Sequence, residues 1–259
     1  GGKDSAVICK LAENAGIPCE IVHSHTTADA PETVYHVRKR AKEYELKGVS
    51  YTIHYPTYKG EPTSMWKLIP VKLMPPTRVG RYCCAVLKET TGHDRFIVTG
   101  VRWAESVARK NNRSSLEIIH TDRKKTMLLN NDNDEDRRLF ETCELKGKRV
   151  CNPIIDWQES DVWDYLTDQR VECNPLYCEG WHRVGCVGCP MAAKARYREF
   201  AQYPKYRQMY IKAFDRMLEE RIERGLISAS WRTGVDVFHW WMEDGVLPGQ
   251  MEIEGIEED

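Results

Sequence analysis

Stretches with the apolar pattern of β-strands alternate along this chain with stretches that have the spacing of α-helices. Strands are predicted at residues 17–24, 51–55 and 96–101, and helices at residues 29–47 and 64–69. Such alternation is typical of domains in which helices cover a parallel sheet. We therefore expect an α/β fold with a doubly wound, mostly parallel sheet.

The later part of the chain has a different pattern. From residue 192 onward the spacing of large apolar residues predicts helices, so we expect a main domain at 1–191 and a helical C-terminal subdomain at 192–259. Between residues 109 and 149 the pattern is poor, and residues 130–138 form a polar stretch typical of a solvated loop. The total of 259 residues is enough for one large domain with an extension.

Composition excludes several classes of protein. The 38 Lys and Arg residues nearly balance the 39 Asp and Glu residues, and 41% of the chain is hydrophobic, which argues against disorder. No apolar run approaches the roughly 18 residues of a membrane span, and we expect no leader peptide, so a cytoplasmic location without a membrane partner is predicted. Ten cysteines in such a chain indicate metal ligands, redox groups or small buried side chains rather than disulfides.

A Gly-Gly-Lys-Asp-Ser sequence at residues 1–5 runs directly into a helical pattern. Glycines let the backbone approach an anion, and the N–H groups of a first helical turn point towards it. Lys3 adds a positive charge, Ser5 a hydroxyl donor, and Asp4 can orient Mg²⁺ or a backbone amide. A plain glycine turn with Asp and Ser as helix caps is the alternative. We also expect a strand before this turn, in a longer protein.

These five residues resemble the PP-loop of the ATP pyrophosphatase and sulfonucleotide reductase superfamily, whose fold is called adenine nucleotide alpha hydrolase-like. Further segments resemble the phosphoadenosine phosphosulfate (PAPS) reductase family in the expected order. They are Thr-Ala-Asp-Ala-Pro-Glu-Thr at 27–33, Thr-Gly-Val-Arg-Trp-Ala-Glu-Ser at 99–106, Asn-Pro-Ile-Ile-Asp-Trp at 152–157 and Asp-Val-Trp at 161–163. The resemblance covers about residues 1–191.

The resemblance implies an adenine nucleotide, either ATP or PAPS/APS, with its phosphates on residues 1–5 at the carboxyl ends of the strands. Arg102 is expected to contact a phosphate or sulfate group, while Glu105 and Ser106 shape that pocket or help to hold a metal such as Mg²⁺. The implied catalytic residues are Lys3, Asp4, Ser5 and Arg102. The implied nucleotide-binding residues are Gly1, Gly2, Lys3, Asp4, Ser5, Gly100, Arg102, Glu105 and Ser106.

Two groups of cysteines stand out, a Cys-Cys pair at residues 83–84, which is unusual for metal ligands, and a Cys-x-x-Cys at residues 186–189. A Cys-x-x-Cys turn directs two thiolates at one metal centre, and a second pair completes four ligands. In the iron–sulfur branch of the family, a Cys-Cys pair and a distant Cys-x-x-Cys bind a [4Fe-4S] cluster. The resemblance thus implies the ligands Cys83, Cys84, Cys186 and Cys189. The alternative ligand set is Cys173, Cys178, Cys186 and Cys189. Zinc is chemically compatible with either set.

The reaction is less constrained than the fold. Sulfonucleotide reductases carry a nucleophilic cysteine in a late Glu-Cys-Gly-Leu-His-type segment, and no cysteine follows Cys189 here. This departure favours the chemistry that the superfamily shares, in which ATP adenylates a substrate, pyrophosphate leaves and sulfur is then transferred. The alternative is a PAPS/APS reductase that uses a thiol supplied elsewhere. Either reaction implies a sulfur or electron donor as partner.

A binding module is the alternative from another class of protein. Basic and aromatic residues interleave at residues 194–207, as they do in proteins that stack on nucleic-acid bases. The helical spacing of this stretch favours aromatic side chains in a core instead. Nucleic-acid modification or a regulatory nucleotide-binding role is therefore the less favoured interpretation. An oligomer is compatible with the sequence.

Overall fold

The order of helices and strands follows the alternation expected from the sequence. The computed structural model describes residues 1–90, 95–119, 127–129, 148–226 and 230–243. Its α-helices are α1 (Lys3–Asn14), α2 (Pro31–Leu46), α3 (Met65–Lys72), α4 (Tyr82–Leu87), α5 (Val107–Asn112), α6 (Glu159–Asp168), α7 (Ala195–Gln202), α8 (Pro204–Glu223) and α9 (Gly234–Met242). Its β-strands are β1 (Glu20–Ser24), β2 (Ser50–His54), β3 (Thr57–Tyr58), β4 (Glu61–Pro62), β5 (Phe96–Val98), β6 (Leu116–Ile119), β7 (Met127–Leu129) and β8 (Lys148–Cys151). The predicted α/β class is confirmed.

The chain divides into two units, each built from several segments. The first unit consists of Gly1–His23, Pro31–His54 and Thr90–Val184. The second unit consists of Ser24–Ala30, Tyr55–Glu89 and Gly185–Asp259. The domain division at residue 191 stays a prediction, and the polar stretch at 130–138 lies outside the described residues. Among the helices described here, none is long and apolar enough to cross a membrane.

A four-stranded sheet in the first unit has the order β5-β8-β6-β7. β5 and β8 pair in parallel, whereas β6 pairs antiparallel with both β8 and β7. β1 and β2 form a separate two-stranded sheet. β6 lies in the segment where the sequence pattern predicts no strand, because the buried Glu117 interrupts its apolar run. Asn152 and Arg113 donate hydrogen bonds to that carboxylate, which makes its burial tolerable.

Helices α1 and α6 share an apolar cluster in the first unit. Val7 of α1 is buried together with Ile154, Val162 and Leu166. Val162 and Leu166 are four residues apart, which places both on one face of α6. Full burial of each such aliphatic side chain contributes about 1.5–3 kcal/mol relative to exposure. This packing holds α6 against the helix that follows the two glycines.

The C-terminal helices of the second unit enclose an aromatic core, so the predicted helical C-terminal region is confirmed. Tyr210, Phe214 and Trp241 are buried, and the ring centroids of Tyr210 and Trp241 are 4.7 Å apart. Arg196 is fully buried and donates a hydrogen bond to the Trp241 carbonyl oxygen at 2.8 Å. Phe200, from the stretch with interleaved basic and aromatic residues, packs against Tyr210 in this core.

Gly188 lies where this aromatic core meets the turn between Cys186 and Cys189. Its φ of 76° is in the left-handed region, which favours glycine. A Cβ on Gly188 would lie 2.5 Å from Phe200 Cζ and 3.1 Å from the Trp241 ring. The backbone conformation and the crowding therefore both require glycine here.

Gly188→Ala is expected to lower the free energy of unfolding by about 2–4 kcal/mol, the sum of backbone strain and overpacking. Gly225→Ala is the matched control, because Gly225 has a φ of 71° and nothing within 4 Å of an added Cβ. The control should lose only about 1 kcal/mol. Chemical denaturation measures both variants, and equal losses would show that the aromatic core does not confine Gly188.

Candidate functional site

The first candidate site lies at the N-terminus of α1. Gly2 is the N-cap residue, with an extended backbone, and the helix begins at Lys3. Ser5 is exposed in the first turn. The Lys3 backbone N–H donates a hydrogen bond to the Tyr177 hydroxyl at 3.0 Å. The N-terminal turn of a twelve-residue helix attracts anions through its N–H groups and its dipole.

Lys3 is a nearly buried cation at this helix start, with 7% of its surface exposed. Its Nζ lies 3.3 Å from Glu159 Oε1 and 3.8 Å from Asp4 Oδ2. The same ammonium lies 5.6 Å from the centroid of the Tyr177 ring, a cation–π distance. Lys3 is therefore held in place before any ligand arrives.

Arg102 is the second buried cation, with only 3% of its surface exposed. Its Nε donates to Asp4 Oδ1 at 2.7 Å, and its Nη2 donates to Glu159 Oε2 at 2.9 Å. The backbone at Gly100 also lies close to Asp4, since a Cβ on Gly100 would lie 3.0 Å from the Asp4 backbone. The structure thus places Arg102 and Gly100 beside residues 1–5, and their contact with a nucleotide stays a prediction.

The four charges form an ion-pair quartet of two cations and two anions. We use the name "ion quartet" for Lys3, Asp4, Arg102 and Glu159. Burial opposes ionisation of Glu159, but the hydrogen bond from Arg102 and the charge of Lys3 outweigh it, so the pKa of Glu159 is lowered. Burial likewise opposes the charge of Arg102, and Asp4 and Glu159 nevertheless raise its pKa. Glu159 and Arg102 are therefore both charged at neutral pH.

Glu105 and Ser106 follow Arg102 on a short 3-10 turn at Trp103–Glu105. Glu105 Oε1 accepts a hydrogen bond from the Arg102 backbone N–H at 3.1 Å and forms an ion pair with Arg109. Ser106 Oγ caps α5 by accepting from the Arg109 backbone N–H at 3.2 Å. Both side chains shape the turn that carries Arg102, and their contact with a ligand or metal stays a prediction.

Sequence reasoning missed Glu159, Asn174 and Tyr177. Asn174 is 1% exposed, and its Nδ2 donates to the Gly1 carbonyl oxygen at 3.2 Å and to Thr33 Oγ1 at 3.0 Å. The Asn-Pro pair at 174–175 is a turn signal, and Asn174 caps the 3-10 turn at Pro175–Tyr177. This turn presents both Asn174 and Tyr177 to residues 1–3.

The second candidate site is the set of predicted metal ligands in the second unit. Cys83 and Cys84 are on α4, and the Cys189 backbone N–H donates to the Cys186 carbonyl oxygen at 3.2 Å in a tight turn. The pKa of Cys83 is raised by its hydrogen bond with Cys84, by burial and by the negative charges of Cys84, Cys186 and Cys189. The four thiols are therefore close enough to act on one another.

Polar groups surround these thiols. Thr26 Oγ1 lies within hydrogen-bond distance of Cys186 Sγ at 3.2 Å, and Arg81 Nη2 donates to Cys84 Sγ at 3.4 Å. The negative charge of Cys186 raises the pKa of Lys88, against the effect of burial. Lys88 was not predicted from sequence, although it lies four residues after Cys84 on the same helical segment.

The chemistry of this donor set fits a metal centre. All four donors are sulfur atoms, which suits an iron–sulfur cluster or zinc. Arg81 supplies positive charge beside Cys84, and Lys88 supplies it beside Cys186, which offsets part of the charge of four thiolates. Cys173 and Cys178, which belong to the alternative set, lie in the first unit, and Cys178 is exposed. The choice between the two ligand sets stays a prediction.

The geometry described above is that of an α/β protein with two buried cations at the N-terminus of its first helix and a group of four thiols. The phosphoadenosine phosphosulfate reductase domain matches residues 1–192. The chain belongs to this family, so the recognition made from sequence is confirmed.

Individual relatives agree with this assignment. An uncharacterized protein of Methanocaldococcus jannaschii is 28% identical over 242 residues, which are 90% of this chain and 50% of that protein. The adenosine 5'-phosphosulfate reductase of Staphylococcus haemolyticus is 26% identical over 199 residues, 73% of this chain and 67% of that protein. That of Burkholderia cepacia is 41% identical over 51 residues, 20% of each chain.

The chain spans half or less of the length of several of the relatives that it matches. A solved structure of PAPS reductase from Candida auris, in complex with phosphate, has a TM-score of 0.45 and 18% identity. The match covers 71% of this chain and 77% of that one.

Asn174→Ala should lower the free energy of unfolding by about 1–3 kcal/mol, because it leaves buried polar partners without their hydrogen bonds. Thr33→Val removes the hydroxyl that accepts one of those hydrogen bonds, with little change in the shape of the side chain. In a double-mutant cycle, the two substitutions should show a coupling of about 0.5 kcal/mol or more. Strict additivity would mean that the Asn174–Thr33 hydrogen bond does not contribute to the free energy of unfolding.

Proposed function

We propose that the chain binds an adenine nucleotide with its phosphate or sulfate groups at residues 1–5 and acts on it as an enzyme of sulfur metabolism. The observation that carries the proposal is the pair of buried cations, Lys3 and Arg102, at the N-terminus of α1. Two preorganised cations beside a helix N-terminus stabilise negative charge that develops on a leaving phosphate. Gly100 lets the loop backbone at Asp4 approach closely, since a Cβ there would lie 3.0 Å from it, and Gly1 and Gly2 are the glycines expected to let a phosphate approach the backbone.

The substrate class that the family favours is a sulfonucleotide, PAPS or APS. In its reduction, an incoming thiolate forms a bond to the sulfonate sulfur while the S–O bond to the nucleotide breaks. The electron pair of that bond leaves on the nucleotide phosphate, next to Lys3 and Arg102. A second thiol then displaces sulfite and leaves a disulfide. Both thiols belong to a dithiol partner protein, which is the electron donor in this proposal.

Adenylation by ATP is the second candidate, and Asp4 favours it. The Asp4 side chain is 24% exposed beside Lys3, and carboxylate oxygen is a preferred ligand of Mg²⁺. In this reaction an acceptor attacks the α-phosphorus and pyrophosphate leaves as the magnesium complex. A sulfur donor then displaces AMP from the adenylated substrate. ATP and PAPS/APS thus compete for the same residues, with Ser5 as a hydroxyl donor in both cases.

Cys83, Cys84, Cys186 and Cys189 would hold a [4Fe-4S] cluster, with zinc as the alternative. A bound cluster supplies a concentrated charge and a redox-active centre in the second unit. Arg81 donates a hydrogen bond to Cys84 and Lys88 places positive charge beside Cys186, which favours the ionised form of these two thiols, while Thr26 Oγ1 accepts a hydrogen bond from Cys186. A cytoplasmic location and an oligomeric state remain predictions from sequence.

Arg102→Lys tests the phosphate site. Lysine cannot bridge two carboxylates and an anion in a fork, so binding of APS or ATP should weaken by about tenfold or more. Arg38→Lys, an exposed position in the same unit, is the control and should bind like the parent. Calorimetric titration with APS, ATP and pyrophosphate also ranks the two substrate classes. Unchanged affinity for all three ligands in Arg102→Lys would refute the proposed site.

Cys186→Ser tests the metal ligands in protein purified without oxygen. About four irons and four sulfides per chain are expected for the parent, and the variant should lose them. Cys178→Ser distinguishes the two ligand sets, since Cys178 is exposed and belongs only to the alternative set. Retention of iron in Cys178→Ser supports the first set, whereas its loss supports the alternative. Zinc in place of iron in the parent would mean that the bound metal has no redox role, because zinc does not change its oxidation state.

A further inference from the structure

The ion quartet has no net charge left over for a ligand. Lys3 lies 3.3 Å from Glu159, and Arg102 forms hydrogen bonds to both Asp4 and Glu159 at less than 3 Å. A phosphate or sulfate group that enters would therefore find two cations whose charge is already neutralised. Tight binding of a multiply charged anion requires that one carboxylate give up its contacts.

Glu159 is the carboxylate that is able to leave. Its side chain is 55% exposed, whereas that of Asp4 is 24% exposed. Asp4 is part of the loop and of the first turn of α1, so its position is tied to the helix backbone. Glu159 is the first residue of α6, and its side chain extends from there to both cations.

Moving the Glu159 carboxylate away from the two cations costs little free energy, because Glu159 lies in the first turn of a helix. A carboxylate in the first turn of a helix is stabilised by the helix dipole wherever its side chain points within that turn. The exposed side of Glu159 also gives it access to water. The Trp163 indole N–H donates to Glu159 Oε1 at 3.2 Å, so the environment of the indole changes when the carboxylate moves.

From these contacts we infer that Glu159 is a specificity-determining residue of the phosphate site: its carboxylate is a built-in anion between Lys3 and Arg102 that the ligand replaces. The inference rests on the proposed function and adds that the site selects its ligands by the number of negative charges that they carry. Singly charged anions gain too little from the two cations to displace a carboxylate. A pyrophosphate, phosphosulfate or similar group with two or more charges gains enough.

Calorimetric titration with inorganic pyrophosphate tests the inference on the full chain. Glu159→Gln keeps the shape of the side chain and removes its charge, so its affinity should rise by about fivefold or more. Asp164→Asn is the matched control, since it removes one negative charge from an exposed position on the same helix. Its affinity should stay within about twofold of the parent, because exposed charges at a distance are screened. Equal or weaker binding by Glu159→Gln would overturn the inference.

Tryptophan fluorescence provides a second readout that a merely structural role would not move. Pyrophosphate should change the emission of the parent, and this change should be lost in Trp163→Phe, because the Trp163–Glu159 hydrogen bond breaks when Glu159 is displaced. A parent whose emission does not change while it binds pyrophosphate contradicts displacement of Glu159. A melting curve of each variant confirms that it is folded.

The outcomes separate this inference from the proposed function. If the parent binds pyrophosphate and APS but Glu159→Gln gains nothing, the phosphate site stands and the role of Glu159 falls. If neither the parent nor Glu159→Gln binds pyrophosphate, APS or ATP, the proposed function and the inference both fall. Tighter pyrophosphate binding confined to Glu159→Gln supports both.

Discussion

The ion pairing of two buried cations with two carboxylates is the interaction on which the candidate phosphate site depends. A buried Lys or Arg without a partner would be costly, so the ion pairs with Asp4 and Glu159 make the burial of Lys3 and Arg102 at the start of α1 tolerable. The apolar cluster beneath α1 and α6 holds the two helix starts in register for these contacts. The affinity of this candidate site for an anion therefore depends on how the two carboxylates share the two cations.

Much of this site was predictable because its residues lie in short local patterns. The glycines before α1 and the segment around Arg102 are contiguous motifs, and the resemblance placed them together. Glu159 was different, because a glutamate in the first turn of a helix has an ordinary explanation as a helix-dipole residue. Asn174 likewise looked like a turn residue. Only the tertiary structure shows that both reach residues 1–3.

The same holds for the fold, of which some helices and strands were predictable from the sequence and others were not. Helices with regular apolar spacing, such as α2 and α3, were predicted close to their actual positions. β6 was not, because it is short and carries a buried glutamate whose partners, Asn152 and Arg113, are supplied by neighbouring segments. The cysteine ligands were predicted from the Cys-x-x-Cys spacing together with the family resemblance, whereas Lys88 has no motif of its own that would mark its charge as directed at thiols.

Residues 1–3 are held by partners very distant in sequence, and this has a consequence for folding. The bond from Lys3 to Tyr177 joins residues 174 positions apart, and Asp4 and Arg102 are 98 positions apart. Each contact closes a long loop, whose entropic cost must be met before the contact forms. The site is therefore complete only when most of the first unit has folded. A ligand bound there would raise the stability of the whole unit, and not only that of the loop that touches it.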